Sequence, residues 1–484
     1  MCELIWNDTG KGIPMALKAV AVTLRDTTVD ASSLYNITMQ QSNGLKFSMH
    51  GFLQKCFDHL EPIDAKYMLM RLSILQAEWF DKKIANHVVV GKQPRSFDAN
   101  SLTVLEAHHL LEVDHFQQVK RHKPSKLYAL HSLVVKFLSS ARECNAQMAQ
   151  EVDIAKDNFI KYICKRTEKC GRKNYTSPNS ARVNMEYNKS HVELFFRLVQ
   201  SERMSLKDCF DGEKNLSRVE FVMRTADFIL NHQTLIQFCQ NQSETAREVC
   251  EQIYWKSRVA ISHIACDKTE LAYALLSTVF NEHGVEVRET DYAVYMKPLG
   301  WMSDADPTFA VFRLFLARGK TLFHMGRNEK NQPKLSQALV DLKTAETLCD
   351  KCREFNVFKV FSKRDMSITQ NAIGCVYFAM GDLTKAQGMH KKAIDSISNS
   401  IKRSSDSLNQ DLIDFKSNLA ACQHQLGLNT KDQTVRFRLF ESALSEYNKL
   451  IDSNKRIGLD CLPPHVSLLR HRAEVYYMKV CLFV

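Results

Sequence analysis

Apolar side chains recur at helical spacing along most of the chain. Between Asp64 and Ala85, residues Met68, Leu72, Leu75 and Trp79 fall three to four positions apart and share one face, which predicts an amphipathic helix. The same period predicts helices over Leu127 to Arg142 and over Val152 to Cys164. His122-Lys123-Pro124-Ser125 breaks the pattern between the first two, and Gly171 to Ser180, polar and Pro-containing, predicts a loop after the third. Asn281 to Asp306 is the longest stretch without a period. This places a domain boundary near residue 300, with an irregular α-helical region over 1–300, where degenerate repeats are one reading, and a regular helical array over 301–484.

The array shows internal self-similarity. Ser367 to Ser398 holds Ile373-Gly374, Tyr377, Gly381-Asp382, Ala386 and Ala393-Ile394 in two amphipathic segments joined at Gly381. The segment resembles a tetratricopeptide (TPR) repeat, whose pattern is L-G-x2-Y followed by A-x3-F in a 34-residue helix-turn-helix. Gly374 and Ala386 then lie where the two helices cross, because only small side chains permit that approach, and Tyr377 fills the gap beside them. The copy departs from the pattern at Gln370 (the Trp site), His390 (the second aromatic) and Ser398 (the terminal Pro).

Neighbouring segments follow the same order with less fidelity. Upstream, Gly319, Leu322 and Gly326 match a first helix and turn, and Ala338, Leu342 and Ala345 a second helix, with Arg327 to Lys334 expected as a loop insertion. Downstream, Leu419-Ala420 and Gly427 are followed by Ala443, Tyr447 and Leu450, and another first helix after Pro463-Pro464 places Leu469, Ala473 and Tyr476 in register. A weaker copy lies at Trp255 to Glu282, with Ala260, Ala272, Leu276 and Val279. The expected fold class is all-α: an α-solenoid of antiparallel helix pairs, TPR-like, irregular in the N-terminal half. The apolar end, Val480 to Val484, is unlike the polar cap of a solenoid, so it reads as a fragment or isoform end, or as a segment that docks on a partner.

Composition supports helices. Only 16 Gly and 10 Pro occur in 484 residues, where an average chain of any fold carries about 12% of the two together. The 65 Lys and Arg against 54 Asp and Glu give a mild positive balance that permits an anionic partner without requiring one. Fifteen scattered Cys fit reduced thiols in an intracellular protein, nuclear or cytoplasmic, better than a secreted disulfide scaffold. The N-terminus lacks the basic-then-apolar order of a secretory signal, and the most apolar window, Phe309 to Ala317, is broken by Arg313, so no membrane association is expected.

Signals for chemistry are sparse. Asp8-Thr9-Gly10-Lys11-Gly12-Ile13-Pro14 resembles the D-x-G-x-G-I box of the ATPase superfamily that contains MutL and histidine kinases, in which the Asp contacts adenine. That family also needs a metal-binding Asn on a preceding helix, and only seven residues precede Asp8, so a Gly-rich loop is expected instead. Cys349-x2-Cys352 and Cys164-x5-Cys170 have thiolate spacings that zinc uses, but structural zinc needs two pairs at regular spacing. Asp304-Ala305-Asp306 reads as a polar turn before Pro307. No nucleophile elbow, metalloprotease helix or phosphate loop is present, so no enzyme activity, cofactor, metal or small-molecule substrate is expected. Two basic clusters remain: Lys120-Arg121-His122-Lys123 with Lys126, which has the character of an import signal, and Lys161, Lys165, Arg166, Lys169, Arg172 and Lys173, a candidate patch for phosphates.

The TPR resemblance implies a protein-protein interaction scaffold or adaptor that holds peptide or helix segments of other proteins in a groove lined by first helices. At the groove-facing positions stand Arg313, Lys320, His324, Asn371, His424, Gln425, Arg470 and Glu474, a mildly basic set that favours a partner segment with acidic character. The two-carboxylate clamp of co-chaperones needs Lys and Asn at fixed sites, where this chain has Leu316, Asn371 and Ser417. Gln76-Ala77-Glu78-Trp79-Phe80, with Asn86 beyond, resembles a stretch in meiosis-specific TPR scaffolds that promote chromosome synapsis and crossing-over. A motor or cytoskeletal adaptor and a helical nucleic-acid-binding protein are the alternatives.

Overall fold

The computed structural model describes residues 49–480 apart from 59, 77, 92–98, 109, 117–124, 177–187, 289–290, 298, 302–303, 399–409 and 457–462. The Asp8 to Pro14 box, Lys120 to Lys123 and Cys481 to Val484 lie outside the described residues. The chain forms two compact units: one of 1–165 with 190–198, the other of 166–189 with 199–484. Residue 300 falls inside the second.

The first unit contains helices α1 (Met49–Asp58), α2 (Ile63–Leu72), α3 (Lys82–Val90), α4 (Ala99–Ala107) and α5 (Ser132–Cys144), most of α6 (Ala146–Thr176) and part of α7 (Lys189–Ser201). Strands β1 (Phe80–Asp81), β2 (Leu111–Phe116) and β3 (Ser125–Leu130) form an antiparallel sheet in the order β1-β3-β2, in which Phe80 pairs with Tyr128 and Leu111 with Leu130. Two helices expected from periodicity are therefore corrected. Asp64 to Ala85 is not continuous: α2 passes through a tight turn at Ser73–Leu75, Gln76 adopts φ 56°, and the chain turns into β1. Leu127 to Leu130 belongs to β3, because Leu130 is buried against its strand partner Leu111, and α5 starts only at Ser132, where the preceding His131 ring accepts from Leu133 N at 3.2 Å.

The second unit is a helical repeat array. It contains α8 (Leu216–Ile229), α9 (His232–Thr245), α10 (Val249–Ala265), α11 (Thr269–His283), a small antiparallel sheet β4 (Val285–Val287), β5 (Val294–Met296) and β6 (Gly300–Trp301), and then α12 (Ala305–Glu329), α13 (Gln332–Glu354), α14 (Lys359–Ala379), α15 (Leu383–Ser398), α16 (Gln410–Asn429), α17 (Gln433–Arg456) and α18 (Pro463–Val480). From α9 onward each helix packs on the next, and α12, α14, α16 and α18 also touch one another in that order. Such nearest-neighbour packing defines an all-α solenoid of antiparallel pairs. The stretch expected to be irregular after Asn281 instead holds the end of α11 and the sheet, where Val294 and Met296 are buried.

The small residues explain how closely the pairs approach. A Cβ built on Gly319 would lie 2.7 Å from Leu342 of the facing helix, and one on Gly374 would lie 2.7 Å from the His390 ring. Ala338, Ala386, Ala393, Ala420 and Ala443 are fully buried, while Tyr377 is half-buried under the Lys385 ammonium, 5.5 Å from the ring centroid. Ala260 and Ala272 are buried likewise between α10 and α11, so the weakest copy is a helix pair too. Gly381, at φ 85°, makes the tight α14–α15 turn, and the Asp382 carboxylate accepts from Lys385 N.

Two expectations fail locally. Arg327 to Lys334 is not a loop: α12 continues to Glu329 and α13 begins at Gln332, with Asn331 Oδ1 accepting from Lys334 N at 3.1 Å and Pro333 in the first turn. The extra residues lengthen both helices past Gly326, which packs on Leu335. Gly171 to Thr176 is also helical, part of α6, since Gly171 lets that helix meet the Phe221 backbone of α8.

His390 stands where the repeat pattern has an aromatic. Burial depresses its imidazole to about 4. A base whose folded pKa lies below its ordinary value near 6.5 is protonated preferentially in the unfolded chain, so stability falls as pH drops from about 6.5 towards 4. His390→Phe is expected to flatten that limb of the melting-temperature profile.

Candidate interaction groove

The four first helices share one frame. Count from the small residue as position zero: Gly319, Gly374, Ala420 and Ala473. Five residues earlier, Leu314, Thr369, Phe415 and Leu468 are buried, and two residues later Thr321, Val376, Cys422 and Val475 are buried. Position zero itself is buried in the first three helices, but Ala473 is exposed, contrary to its assignment as a packing residue.

One face of these helices stays open at positions plus one, plus four and plus five, none of which is buried in any copy, whereas minus three is buried in the first helix, at Leu316. Plus four is a row of rings: Phe323 (half-buried), Phe378 (37% exposed), His424 (half-buried) and Tyr477 (70% exposed). The Arg327 guanidinium lies 5.5 Å from the Phe323 centroid, and the His424 ring meets Phe440 edge-on at 5.8 Å. Between the helices, Asn371 Oδ1 lies 2.8 Å from His390 Nδ1 and accepts from Asn418 Nδ2 at 3.1 Å, and the same amide reaches Cys375 Sγ at 3.6 Å. Asn371 thus spends its oxygen internally.

Lys320 is half-buried on this face. It faces Arg313 of its own helix, Arg224 of α8, Asp365 and Cys375 of α14 and Asp411 of α16. Burial first, and then the two guanidiniums, lower its ammonium to about 8. Asp411 is already paired with Arg364, and Asp365 with Arg224 at 3.0 Å. Lys320 itself makes no ion pair among the described residues. Burial, Arg327 and Lys320 likewise lower the half-buried His324. Gln425 is half-buried, while Arg470 and Glu474 are exposed and pair with each other at 3.1 Å.

Arg313 is the member of the expected set that does not line the groove. Its guanidinium is 3% exposed and pairs with Glu220, inside a charged core that also holds Arg224, Asp365, Tyr254 and Arg258. Glu220 is fully buried and accepts from Tyr254 Oη at 2.7 Å. Burial opposes its charge, but Arg313, Arg224 and Arg258 outweigh that effect and hold the carboxyl near 2. Arg258 is fixed in turn by Asp227. The network is long-range. Its partners lie as far apart as Arg224 and Asp365, 141 residues, so no local spacing signals it.

The other expected residues fall elsewhere. All six of the candidate basic patch lie on α6. Lys161 pairs with Asp157 at 2.6 Å, and Arg172 pairs with Glu168 at 2.7 Å and stacks over Phe221. Arg166 is half-buried, while Lys165, Lys169 and Lys173 are exposed. Lys126 of the other cluster is bound to Glu106. Cys349 and Cys352 are buried in α13, and burial pushes both thiols up, so they behave as apolar core groups. Asp304 precedes α12, and Asp306 in its first turn accepts from Leu216 N at 3.1 Å and faces Lys207. Among the described residues, no group of three or more His, Cys, Asp or Glu converges as a metal site, and no helix is long and apolar enough to cross a membrane.

The chain matches no protein-family model and no curated protein. Among solved structures it is similar to a Signal Transduction ATPase with Numerous Domains (STAND) protein with a tetratricopeptide repeat sensor from Pyrococcus horikoshii, at 13% identity over 96% of this chain and 63% of that one, with a TM-score of 0.42. It is also similar to BtubC (BKLC) from P. vanneervenii, at 12% identity over 51% of this chain and 91% of that one, with a TM-score of 0.26. The chain thus spans less than two thirds of the first structure's length. The helix pairs rest on the packing described above rather than on these likenesses.

Proposed function

We propose that the protein is a non-enzymatic interaction scaffold whose repeats are of the TPR type and whose groove holds peptide or helix segments of other proteins. The observation that carries this reading is the frame of the four first helices. Positions minus five and plus two are buried in every copy, whereas the face with the ring row is left open. Rings kept at one position of successive helices, exposed at Phe378 and Tyr477 and half-buried at Phe323 and His424, favour a partner that covers them. A reducing, intracellular setting, nuclear or cytoplasmic, accords with the free thiols among the described residues.

A meiotic chromosome scaffold and a motor or cytoskeletal adaptor are the two finer forms, and the identity of the partners decides between them. Nucleic-acid binding is the second reading. It is favoured by Lys165, Lys169 and Lys173, which recur every four residues at exposed positions and so form one cationic stripe along α6.

The test is affinity purification of the tagged full chain, with and without nuclease, at low and moderate salt. Protein partners in fixed ratio that survive both treatments are expected. Loss of all partners on nuclease treatment, with steep salt dependence, would replace the scaffold reading with the nucleic-acid one.

A further inference from the structure

We infer that the groove is built for a partner segment of mixed character: aromatic or large aliphatic side chains that lie along the ring row, and an acidic residue that reaches Lys320 at the α12 end. The inference rests on the groove reading above and adds the chemistry of its ligand. Phe323, Phe378, His424 and Tyr477 occupy the same position of helices that touch in sequence, and Phe378 and Tyr477, the exposed members, offer flat apolar surfaces. Such surfaces select apolar side chains by burial, with little demand on their identity.

The charges are not symmetric along the row. At α18 the acid and base, Arg470 and Glu474, satisfy each other. At α12, Lys320 has no ion pair among the described residues, and the carboxylates it faces, Asp365 and Asp411, are committed to Arg224 and Arg364. Arg327 beside it is exposed, lies over the Phe323 ring and makes no ion pair among the described residues. This end therefore carries uncompensated positive potential, which a carboxylate on the partner would neutralise in a partly dry site where charge pairing is strong.

The coupling to protons gives the inference a signature. Lys320 titrates near 8 in the free protein because burial and the neighbouring guanidiniums oppose its charge. A bound carboxylate favours the charged form, so affinity falls as pH rises from 7 to 9, and Lys320→Arg, which stays charged, removes that fall.

The probe is a random 12-residue peptide library displayed on phage and panned on the full-length protein at pH 7, with Phe323→Ser/Phe378→Ser as the counter-selection. The most enriched peptide is then made with a fluorescein label for anisotropy. Enriched peptides are expected to combine aromatic or large aliphatic residues with Asp or Glu. Lys320→Met should weaken the labelled peptide roughly tenfold, and the acid-to-amide peptide should lose the same factor on wild type but nothing further on Lys320→Met. Phe378→Tyr, which keeps the ring, should retain binding, and unchanged melting curves separate these effects from unfolding.

Peptides that need Phe378 but show no acidic preference and no response to Lys320→Met would overturn this inference and leave the groove reading standing. Equal enrichment on wild type and on the ring-row variant, or none on either, would overturn both.

Discussion

Glu220→Gln is expected to destabilise the repeat unit by about 3–5 kcal/mol, the cost of breaking a buried ion pair from one side. The substitution keeps the shape of the side chain and its contact with Tyr254, but it removes the anion that sits against Arg313 and Arg224. Asp365 alone would then face both guanidiniums. Urea unfolding followed by circular dichroism measures the loss as a lower midpoint with an unchanged slope. The same network fixes an acid limb. Glu220 titrates near 2 in the fold against 4.5 ordinarily, so its contribution is present above about pH 4.5 and disappears as pH falls towards 2. That part of the acid limb should be missing in the variant. Replacing Glu220, Arg224, Arg313 and Asp365 together by apolar residues of matching volume should cost far less than Glu220→Gln, because no charge is then left without a partner.

The second large effect is at Gly171. A Cβ there would lie 1.9 Å from the Phe221 carbonyl oxygen, a backbone atom that cannot rotate away. Gly171→Val therefore forces α6 and α8 apart, and overpacking of this kind costs ~1–3 kcal/mol or more. Gly388→Val is the control, since nothing lies within 4 Å of a Cβ at that exposed helical site. Only the small propensity cost of a β-branched residue, under ~1 kcal/mol, applies there, offset by the loss of glycine's own cost. Thermal melting of the two variants should differ clearly.

The repeat array was legible because its determinants are local. Gly374, Tyr377, Gly381 and Ala386 fall within one helix pair, and the contact between Gly374 and His390 spans only 16 residues. The register carried through to Ala443 and to Val475, even where insertions lengthened the helices. The short strands were not legible. β1 has two residues and β6 two, too few for an alternating pattern, and Leu127 to Leu130 has apolar spacing that a helix also satisfies. The turn at Gln76 is invisible for another reason: a left-handed residue with no glycine leaves no mark in composition.

The groove divides along the same line. Lys320, Asn371 and His424 fall on half-buried positions of first helices, an assignment that follows from helical spacing alone. Arg313 was misplaced, since its burial depends on Glu220 of another helix, 93 residues away. The ring row is not legible in the sequence by itself: Phe323, Phe378, His424 and Tyr477 stand at unequal intervals in the chain and become equivalent only when each helix is counted from its small residue.

This open face, and not the cationic stripe of α6, is expected to hold the partners. The most direct test is a quantitative comparison of the proteins co-purified by three forms of the full chain: wild type, Phe323→Ser/Phe378→Ser, and Lys165→Glu/Lys169→Glu. The ring-row variant is expected to lose its stoichiometric protein partners by at least tenfold while its melting curve is unchanged, and the α6 variant to keep them. Retention by the ring-row variant together with loss by the α6 variant would contradict the account.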